Sequence, residues 1–178
     1  MQELKGSFVA LVTPMKSNGE IDFPALKELV EWHIESGTHG LVSVGTTGES
    51  ATLNFNDHVK VLEKTISYIN NKIVAIAGTG ANSTDEAIEL NKAASSIGYE
   101  FALSVTPYYN KPNQLGLEAH YKKIADSGVE FYTCDDDDLD KEYGMYYGNL
   151  EFDPLDIMQQ TNGHTKMFHK ENGKWRQL

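Results

Sequence analysis

The segment with the clearest chemical character is Gly45-Thr46-Thr47-Gly48-Glu49-Ser50. Its two glycines let backbone N–H groups approach a ligand closely, and its paired threonine hydroxyls can bind a carboxylate or pass on a proton. It lacks the Gly-Lys-Ser/Thr ending of a phosphate-binding P-loop. The chemistry therefore fits either a small-molecule site or a plain strand-to-helix turn with its caps.

Two further polar segments could also do chemistry. The segment 106–112 places Tyr108 and Tyr109 between two prolines, and phenols there can donate protons or bind anions, although loop packing is the alternative. The pattern Gly78-x-Gly80-x-x-Ser83 lacks the third glycine of a dinucleotide-binding turn. A tight turn with a helix cap is expected there instead of a nucleotide cofactor.

Metal and disulfide chemistry are not expected. Counted from Asp136 in the acidic run 135–138, Asp138 and Asp140 have the alternation of a calcium loop, but Lys141 and Tyr147 stand where glycine and glutamate are needed. A solvated acidic loop is expected there. The six histidines show no metal-ligand spacing, so neither a metal nor another cofactor is predicted. The single cysteine, Cys134, excludes an internal disulfide and fits a reducing compartment.

These polar segments follow short apolar runs that predict strands beginning near residues 8, 41, 73 and 101. Amphipathic helical patterns separate the runs, which indicates an α/β fold with a parallel sheet covered by helices. The carboxyl ends of such strands meet at one edge, where ligands bind. A doubly wound sheet and part of a (β/α)₈ barrel both fit this pattern.

Local signals predict where the helices begin, end and pack. Asp22 is a candidate N-cap before Pro24 in the first helix, and Ser83 with Glu86 has the spacing of a capping box. Helix ends are expected at three glycines: Gly37, Gly98 and Gly128. The buried face of the second helix is predicted from four apolar residues: Val59, Leu62, Ile66 and Ile69.

Composition narrows the class of protein. The 178 residues are 40% hydrophobic and 23% charged, which is typical of a globular protein. The net charge of −11 argues against nucleic acid or an anionic membrane as the main partner. No apolar run reaches the ~18 residues of a membrane span, and no signal peptide is recognised. We expect a soluble cytoplasmic protein.

Four segments in combination resemble the 4-hydroxy-tetrahydrodipicolinate synthase family, also called dihydrodipicolinate synthase. They are 9–14, 45–53, 77–82 and 105–112, and the continuation through His120-Tyr121 is similar to the family as well. The resemblance covers about residues 5–128. It implies a (β/α)₈ TIM barrel, of which this stretch would form the first four βα units. It also implies a lyase of lysine and diaminopimelate biosynthesis that condenses pyruvate, held as a Schiff base on a lysine, with aspartate semialdehyde.

The resemblance also implies roles for individual residues. Thr47 would hold the pyruvate carboxylate, and Thr46 and Tyr109 would belong to a proton relay. Tyr109 would reach into the site of a neighbouring subunit, which implies a homo-oligomer. The feedback site for L-lysine would consist of five residues: Ser50, Ala51, Asn82, Glu86 and Tyr108.

The chain changes character near Gly128. Residues 1–128 hold 15 acids and 10 bases (net −5), whereas residues 129–178 hold 11 acids and 5 bases (net −6) and 8 of the 18 aromatic residues. We therefore expect an N-terminal half-barrel over 1–128 and a divergent tail over 129–178, as in a truncated or chimeric product. Residues 129–134 could add a fifth strand, and the stretches 165–169 and 174–178 predict a β-hairpin.

The tail shows no counterpart of the later barrel strands. Lys166, Lys170 and Lys174 lie in a polar stretch without the burial that lowers a lysine pKa, so none is assigned as the Schiff-base lysine. Half a barrel would also expose its apolar interior unless the tail or a second chain covers it. A non-catalytic half-barrel that acts as a binding or assembly module is the alternative function.

Overall fold

The structure, a computed structural model, describes residues 4–110, 112–128, 130–134, 168–171 and 174–177. Strands and helices alternate along the first three quarters of the chain. In order they are β1 (Phe8–Ala10), α1 (Phe23–Glu35), β2 (Gly40–Ser43), a 3₁₀ turn (Ser50–Thr52), α2 (Phe55–Ile69), β3 (Val74–Gly78), α3 (Thr84–Ile97), β4 (Phe101–Val105), α4 (Gln114–Ala125), β5 (Glu130–Cys134), β6 (Phe168–Glu171) and β7 (Lys174–Gln177).

The first five strands form one parallel sheet in the sequential order β1-β2-β3-β4-β5. A doubly wound sheet reverses its strand order at a switch point, whereas a barrel adds each strand beside the one before it. The sequential order therefore decides between the two predicted architectures in favour of half a (β/α)₈ barrel. The predicted fifth strand is confirmed, since β5 pairs with β4 along its whole length.

Side-chain caps start the helices, as the local sequence predicts. Asp22 Oδ1 accepts a hydrogen bond of 3.1 Å from the Ala25 amide at the start of α1. Ser83 Oγ accepts one of 3.4 Å from the Glu86 amide at the start of α3. Each cap satisfies one of the amides that lack a partner in the first helical turn, which fixes where the chain leaves the strand end.

The helix ends agree with the prediction only in part. Gly98 closes α3 in the left-handed conformation, with φ of +106°. Gly37 also ends α1 as predicted: its φ is +80°, and the Gly37 and Thr38 amides donate to the Ile34 and His33 carbonyls at 3.2 and 3.0 Å. In contrast, α4 ends before Gly128, because Asp126 caps it with right-handed helical angles and donates its amide to the preceding turn.

The main core lies between the sheet and the helices. It contains Leu26 and Val30 of α1, Leu41 of β2, and Ala77 of β3. On α2 the buried residues differ from the predicted set, because Val59 and Ile66 are only half-buried. The residues buried there are His58, Val61, Leu62, Thr65 and Ile69. The buried face of α2 is therefore rotated relative to the face predicted from its apolar residues, and it includes His58.

A second, smaller core lies on the opposite face of the sheet. Val42, Ile76 and Phe101 alternate along their strands with the residues of the main core and are buried together with Leu4. This face would be the interior of a closed barrel. At these positions the chain itself covers the predicted barrel interior.

The predicted β-hairpin is confirmed. Strands β6 and β7 pair antiparallel, with Phe168 opposite Gln177 and Glu171 opposite Lys174. The first strand begins at Phe168, and the residues 165–167 of the prediction lie outside the described residues, as does the acidic run 135–138. Among the helices that the structure describes, none is both long and apolar enough to cross a membrane.

Candidate functional site

The Gly45–Ser50 segment forms the turn at the carboxyl end of β2. Val44, the first residue after the strand, is buried and has φ of +54°, a left-handed conformation that a β-branched residue rarely adopts. This conformation turns the chain sharply away from the sheet, so that the two threonines follow it directly. Strained backbone of this kind persists only where the surrounding structure enforces it, and it is frequent at functional sites.

Two glycines and a buried hydroxyl enforce that turn. A Cβ at Gly78 would lie 2.1 Å from the Val44 carbonyl oxygen, so β3 can approach the turn only because residue 78 is glycine. A Cβ at Gly48 would lie 3.0 Å from the Leu11 carbonyl oxygen. Thr13 Oγ1 donates a buried 2.8 Å hydrogen bond to the Gly48 carbonyl, which ties the turn to the end of β1.

Thr46 and Thr47 lie at the exposed outer side of this turn. The backbone holds them in place, because the Gly48 amide donates to the Gly45 carbonyl and the Glu49 amide to the Thr46 carbonyl, both at 3.0 Å. Neither threonine hydroxyl bonds to another described residue. Two hydroxyls on a fixed turn are therefore available to a ligand or a proton relay, as the sequence predicts.

Tyr109 lies on the loop after β4, apart from the two threonines. Its backbone is left-handed, with φ of +64°, and its side chain is 95% exposed. Within the described part of the chain, no hydrogen bond joins Tyr109 to Thr46. The structure thus places the two predicted relay residues at the same edge of the sheet, with no hydrogen bond between them inside one chain.

A small cavity of about 170 Å³ opens at the same edge, between the turn after β2 and the loops after β3 and β4. All five residues of the predicted lysine site line it: Ser50, Ala51, Asn82, Glu86 and Tyr108. The Tyr108 amide donates a 2.7 Å hydrogen bond to Asn82 Oδ1, which joins two of the cavity walls. The volume is below the ~300–1,000 Å³ of pockets for drug-sized ligands, so it suits a small metabolite.

His58 of α2 also lines the cavity, and the sequence reasoning missed it. The side chain is buried, and burial lowers the pKa of its imidazole. The neutral ring donates from Nε2 to the Gly78 carbonyl at 2.8 Å. A signal was available, because His58 precedes Leu62, Thr65 and Ile69 at helical spacings of four, three and four residues.

The lining of the cavity favours a zwitterionic ligand. Glu86 supplies the one carboxylate among the lining residues, at the first turn of α3. Glu86 favours an ammonium group, and the Ser50 hydroxyl and the Asn82 side-chain amide can donate to a carboxylate. Within the described segments no group of three histidine, cysteine, aspartate or glutamate side chains could hold a metal ion.

Comparison with known proteins gives a consistent result. The model of the dihydrodipicolinate synthetase family matches residues 3–133. The 4-hydroxy-tetrahydrodipicolinate synthases of Ruthia magnifica and Thermodesulfovibrio yellowstonii are 60% and 58% identical over 124 and 122 residues. These matches cover 70% and 68% of this chain and 42% of each relative, so the chain spans well under half the length of the relatives that it matches.

Solved structures agree with the sequence relatives. The dihydrodipicolinate synthase of Acinetobacter baumannii, solved in complex with pyruvate, is 53% identical with a TM-score of 0.72, over 74% of this chain and 45% of that one. The enzyme of Cyanidioschyzon merolae with lysine bound is 38% identical with a TM-score of 0.69, over 71% of this chain and 44% of that one. The described half-barrel therefore matches the N-terminal part of such barrels.

Proposed function

The chain belongs to the dihydrodipicolinate synthetase family, and from this membership we propose that it carries part of a pyruvate-condensing lyase site together with a feedback site for L-lysine. In this proposal residues 1–128 form the N-terminal half-barrel and residues 129–178 a divergent tail. The activity is that of 4-hydroxy-tetrahydrodipicolinate synthase, with pyruvate and aspartate semialdehyde as substrates. Free metabolites of this kind are consistent with a place in the cytoplasm.

Thr47 is the proposed ligand of the pyruvate carboxylate. Its exposed hydroxyl on a glycine-bounded turn can donate to a carboxylate oxygen. Thr46, on the same turn, is the proposed first member of the proton relay. The strained Val44 conformation and the Thr13 hydrogen bond to Gly48 support the proposal, because both hold the turn in one position before any ligand arrives.

Tyr109 is the proposed relay residue that acts across a subunit boundary. An exposed phenol on a left-handed residue makes little contribution to the fold of its own chain. Such an arrangement suits a side chain that completes the site of a second copy. The proposal therefore includes a homo-oligomer as the functional form.

The observation that carries the proposal is the shared cavity. The five residues to which the family resemblance gives one common role come from the turn after β2, the loop after β3 with the first turn of α3, and the loop after β4, and all five line a single cavity. Chance placement would scatter residues separated by up to 58 positions in sequence (50 to 108). The lining offers a carboxylate for an ammonium group and hydroxyl and amide groups for a carboxylate, which is the chemistry of an amino acid.

Reaction with pyruvate and borohydride tests the catalytic part. A lysine amine that attacks the pyruvate carbonyl releases water and forms an imine, which borohydride reduces to a stable secondary amine. Circular dichroism must first show a folded sample. A single pyruvyl adduct, located by peptide mapping and absent from the Thr47→Val variant, would support the proposed site. Lys170 in β6 and Lys174 in β7 are the described lysines of the tail that the mapping would examine first.

The alternative is a half-barrel that binds without catalysis. It is favoured by the described sheet, which ends at β5 and contains no further parallel strand. A folded chain that forms no adduct but binds L-lysine would overturn the catalytic part and leave the binding part. A folded chain that does neither would overturn both parts.

A further inference from the structure

The consecutive residues His120 and Tyr121 of α4 each bond to a different neighbouring element. Both side chains are buried, with 5% and 2% exposure. His120 Nδ1 lies 2.9 Å from Thr84 Oγ1, and the Tyr121 hydroxyl lies 2.9 Å from Thr106 Oγ1. Consecutive helix residues point about 100° apart, so one turn of α4 reaches two partners at once.

Each partner stands two positions before a residue that lines the cavity. Thr84 is the first residue of α3 and stands two positions before Glu86, which supplies the carboxylate. Thr106 is the first residue after β4 and stands two positions before Tyr108. Thr106, which bonds to Tyr121, also stands three positions before Tyr109.

The histidine contact has the character of a specific bond and not of packing alone. His120 Nε2 is buried without a hydrogen-bond partner among the described residues. An unpaired ring nitrogen costs free energy that an apolar side chain of similar size would not incur. The other ring nitrogen, Nδ1, forms the hydrogen bond to Thr84.

We propose that His120 and Tyr121 are positioning residues that set the separation of the two cavity walls and thereby the place of the Tyr108–Tyr109 loop. His120 holds the first turn of α3, and Tyr121 holds the start of the loop after β4. Because one helical turn holds both walls, the cavity is formed before its ligand binds, which lowers the ordering cost of binding. The inference rests on the proposed lysine site only for the identity of that ligand.

Tyr121→Phe tests the loop side, because it removes one hydroxyl and keeps the ring. We expect faster hydrogen exchange at the Tyr108 amide, measured by NMR without ligand, by about threefold or more. L-lysine binding, measured by calorimetry, should weaken by a similar factor. Tyr68→Phe, the same change on a half-buried tyrosine of α2, is the matched control and should alter neither quantity.

Thr84→Val tests the α3 side with an isosteric change. We expect faster exchange at the Glu86 and Ala87 amides, again by about threefold or more, while Thr84→Ser keeps the hydroxyl and restores the wild-type rate. Thr65→Val is the matched control, because the buried Thr65 hydroxyl has no hydrogen-bond partner among the described residues.

The outcomes separate positioning from general stability and from the identity of the ligand. Faster hydrogen exchange confined to the Tyr108, Glu86 and Ala87 amides, with unchanged exchange in α1, supports the inference. Exchange that matches the controls at all three amides, or that rises uniformly along the chain, overturns it. Local acceleration in a chain that does not bind L-lysine supports the positioning role and overturns the proposed ligand.

Discussion

Val44 and Gly78 show how one contact between backbones shapes the candidate site. The left-handed Val44 places its carbonyl where a Cβ on residue 78 would lie 2.1 Å from the oxygen and 2.8 Å from the Gly45 amide nitrogen. Both atoms belong to backbone, so neither can move aside without shifting the turn that carries the two threonines. Residue 78 is thus a determinant of the site although it offers no functional group.

We expect Gly78→Ala to lower the free energy of unfolding by about 2–4 kcal/mol, because the turn or β3 must shift to admit the methyl group. Urea denaturation followed by circular dichroism measures this change. Gly45→Ala is the control, since a Cβ there would meet only Val42 Cγ1 at 3.8 Å. Its effect should stay within about 1 kcal/mol. Equal losses in the two variants would contradict the close-approach explanation.

His120 makes the stability of the chain sensitive to acid. Burial lowers the pKa of its imidazole from 6.5 to about 4. Between these values the unfolded chain binds a proton that the folded chain does not, so acidification favours unfolding. The stability that the neutral ring contributes is complete above pH 6.5 and is lost progressively as the pH falls towards 4.

The His120→Asn variant lacks the imidazole that binds this proton, so its free energy of unfolding should fall less on acidification. We expect its unfolding free energy to fall by about 1–2 kcal/mol less than that of the wild type between pH 6.5 and 4.5. Urea titrations at a series of pH values measure the two slopes. His58, whose pKa burial also lowers, is present in both proteins and cancels in the comparison. Parallel slopes would mean that His120 is not the group responsible.

At the scale of elements, α4 controls the loop that carries the tyrosines. Its N-cap, Asn113, accepts a 2.9 Å hydrogen bond from the Gly116 amide and fixes where the loop after β4 ends. We expect Asn113→Ala to cost about 1 kcal/mol in a thermal melt, because one amide of the first turn loses its partner. Asn113→Asp keeps the acceptor and should remain close to wild type. A loss shared by both variants would point to a cause other than the cap.

Elements with local signals could be predicted from sequence, and those fixed by distant contacts could not. Asp22 and Ser83 cap their helices as expected because a cap depends on residues three positions apart. The left-handed Val44 could not be foreseen, since Gly78 on another strand permits it. His58 was missed because the stripe of α2 was assigned from apolar residues alone, whereas tertiary packing buries a histidine bonded to Gly78.

The set of side chains that forms the cavity was predictable only through the family resemblance. These residues lie on separate loops and on the first turn of α3, and periodicity can say that such segments share an edge but not which side chains converge there. The end of α4 shows the same limit on a smaller scale. There Gly128 gave a plausible signal, and Asp126 closed the helix earlier by donating its amide to the preceding turn.

At the scale of the whole molecule, residues on both faces of the sheet are buried, yet one end of it presents apolar side chains to solvent. Tyr109 is 95% exposed, Leu115 at the start of α4 is 76% exposed, and Tyr108 between the two loops is 39% exposed. These residues lie close together in sequence, on the loop after β4 and in the first turn of α4, whereas the exposed Trp32 lies in α1. Large exposed apolar side chains grouped in this way are typical of a surface that another chain covers.

We therefore expect the chain to self-associate through this patch. In light scattering coupled to size exclusion, the double variant Tyr109→Ala and Leu115→Ser should raise the dissociation constant by about tenfold or more, because exposed aromatic and aliphatic anchors dominate such interfaces. Trp32→Ser removes an equally large exposed side chain from α1 and should leave the association unchanged. A monomeric wild type, or equal weakening in both variants, would contradict the patch as an interface. Weakening confined to the double variant would place Tyr109 at a boundary between copies, where the proposed relay needs it.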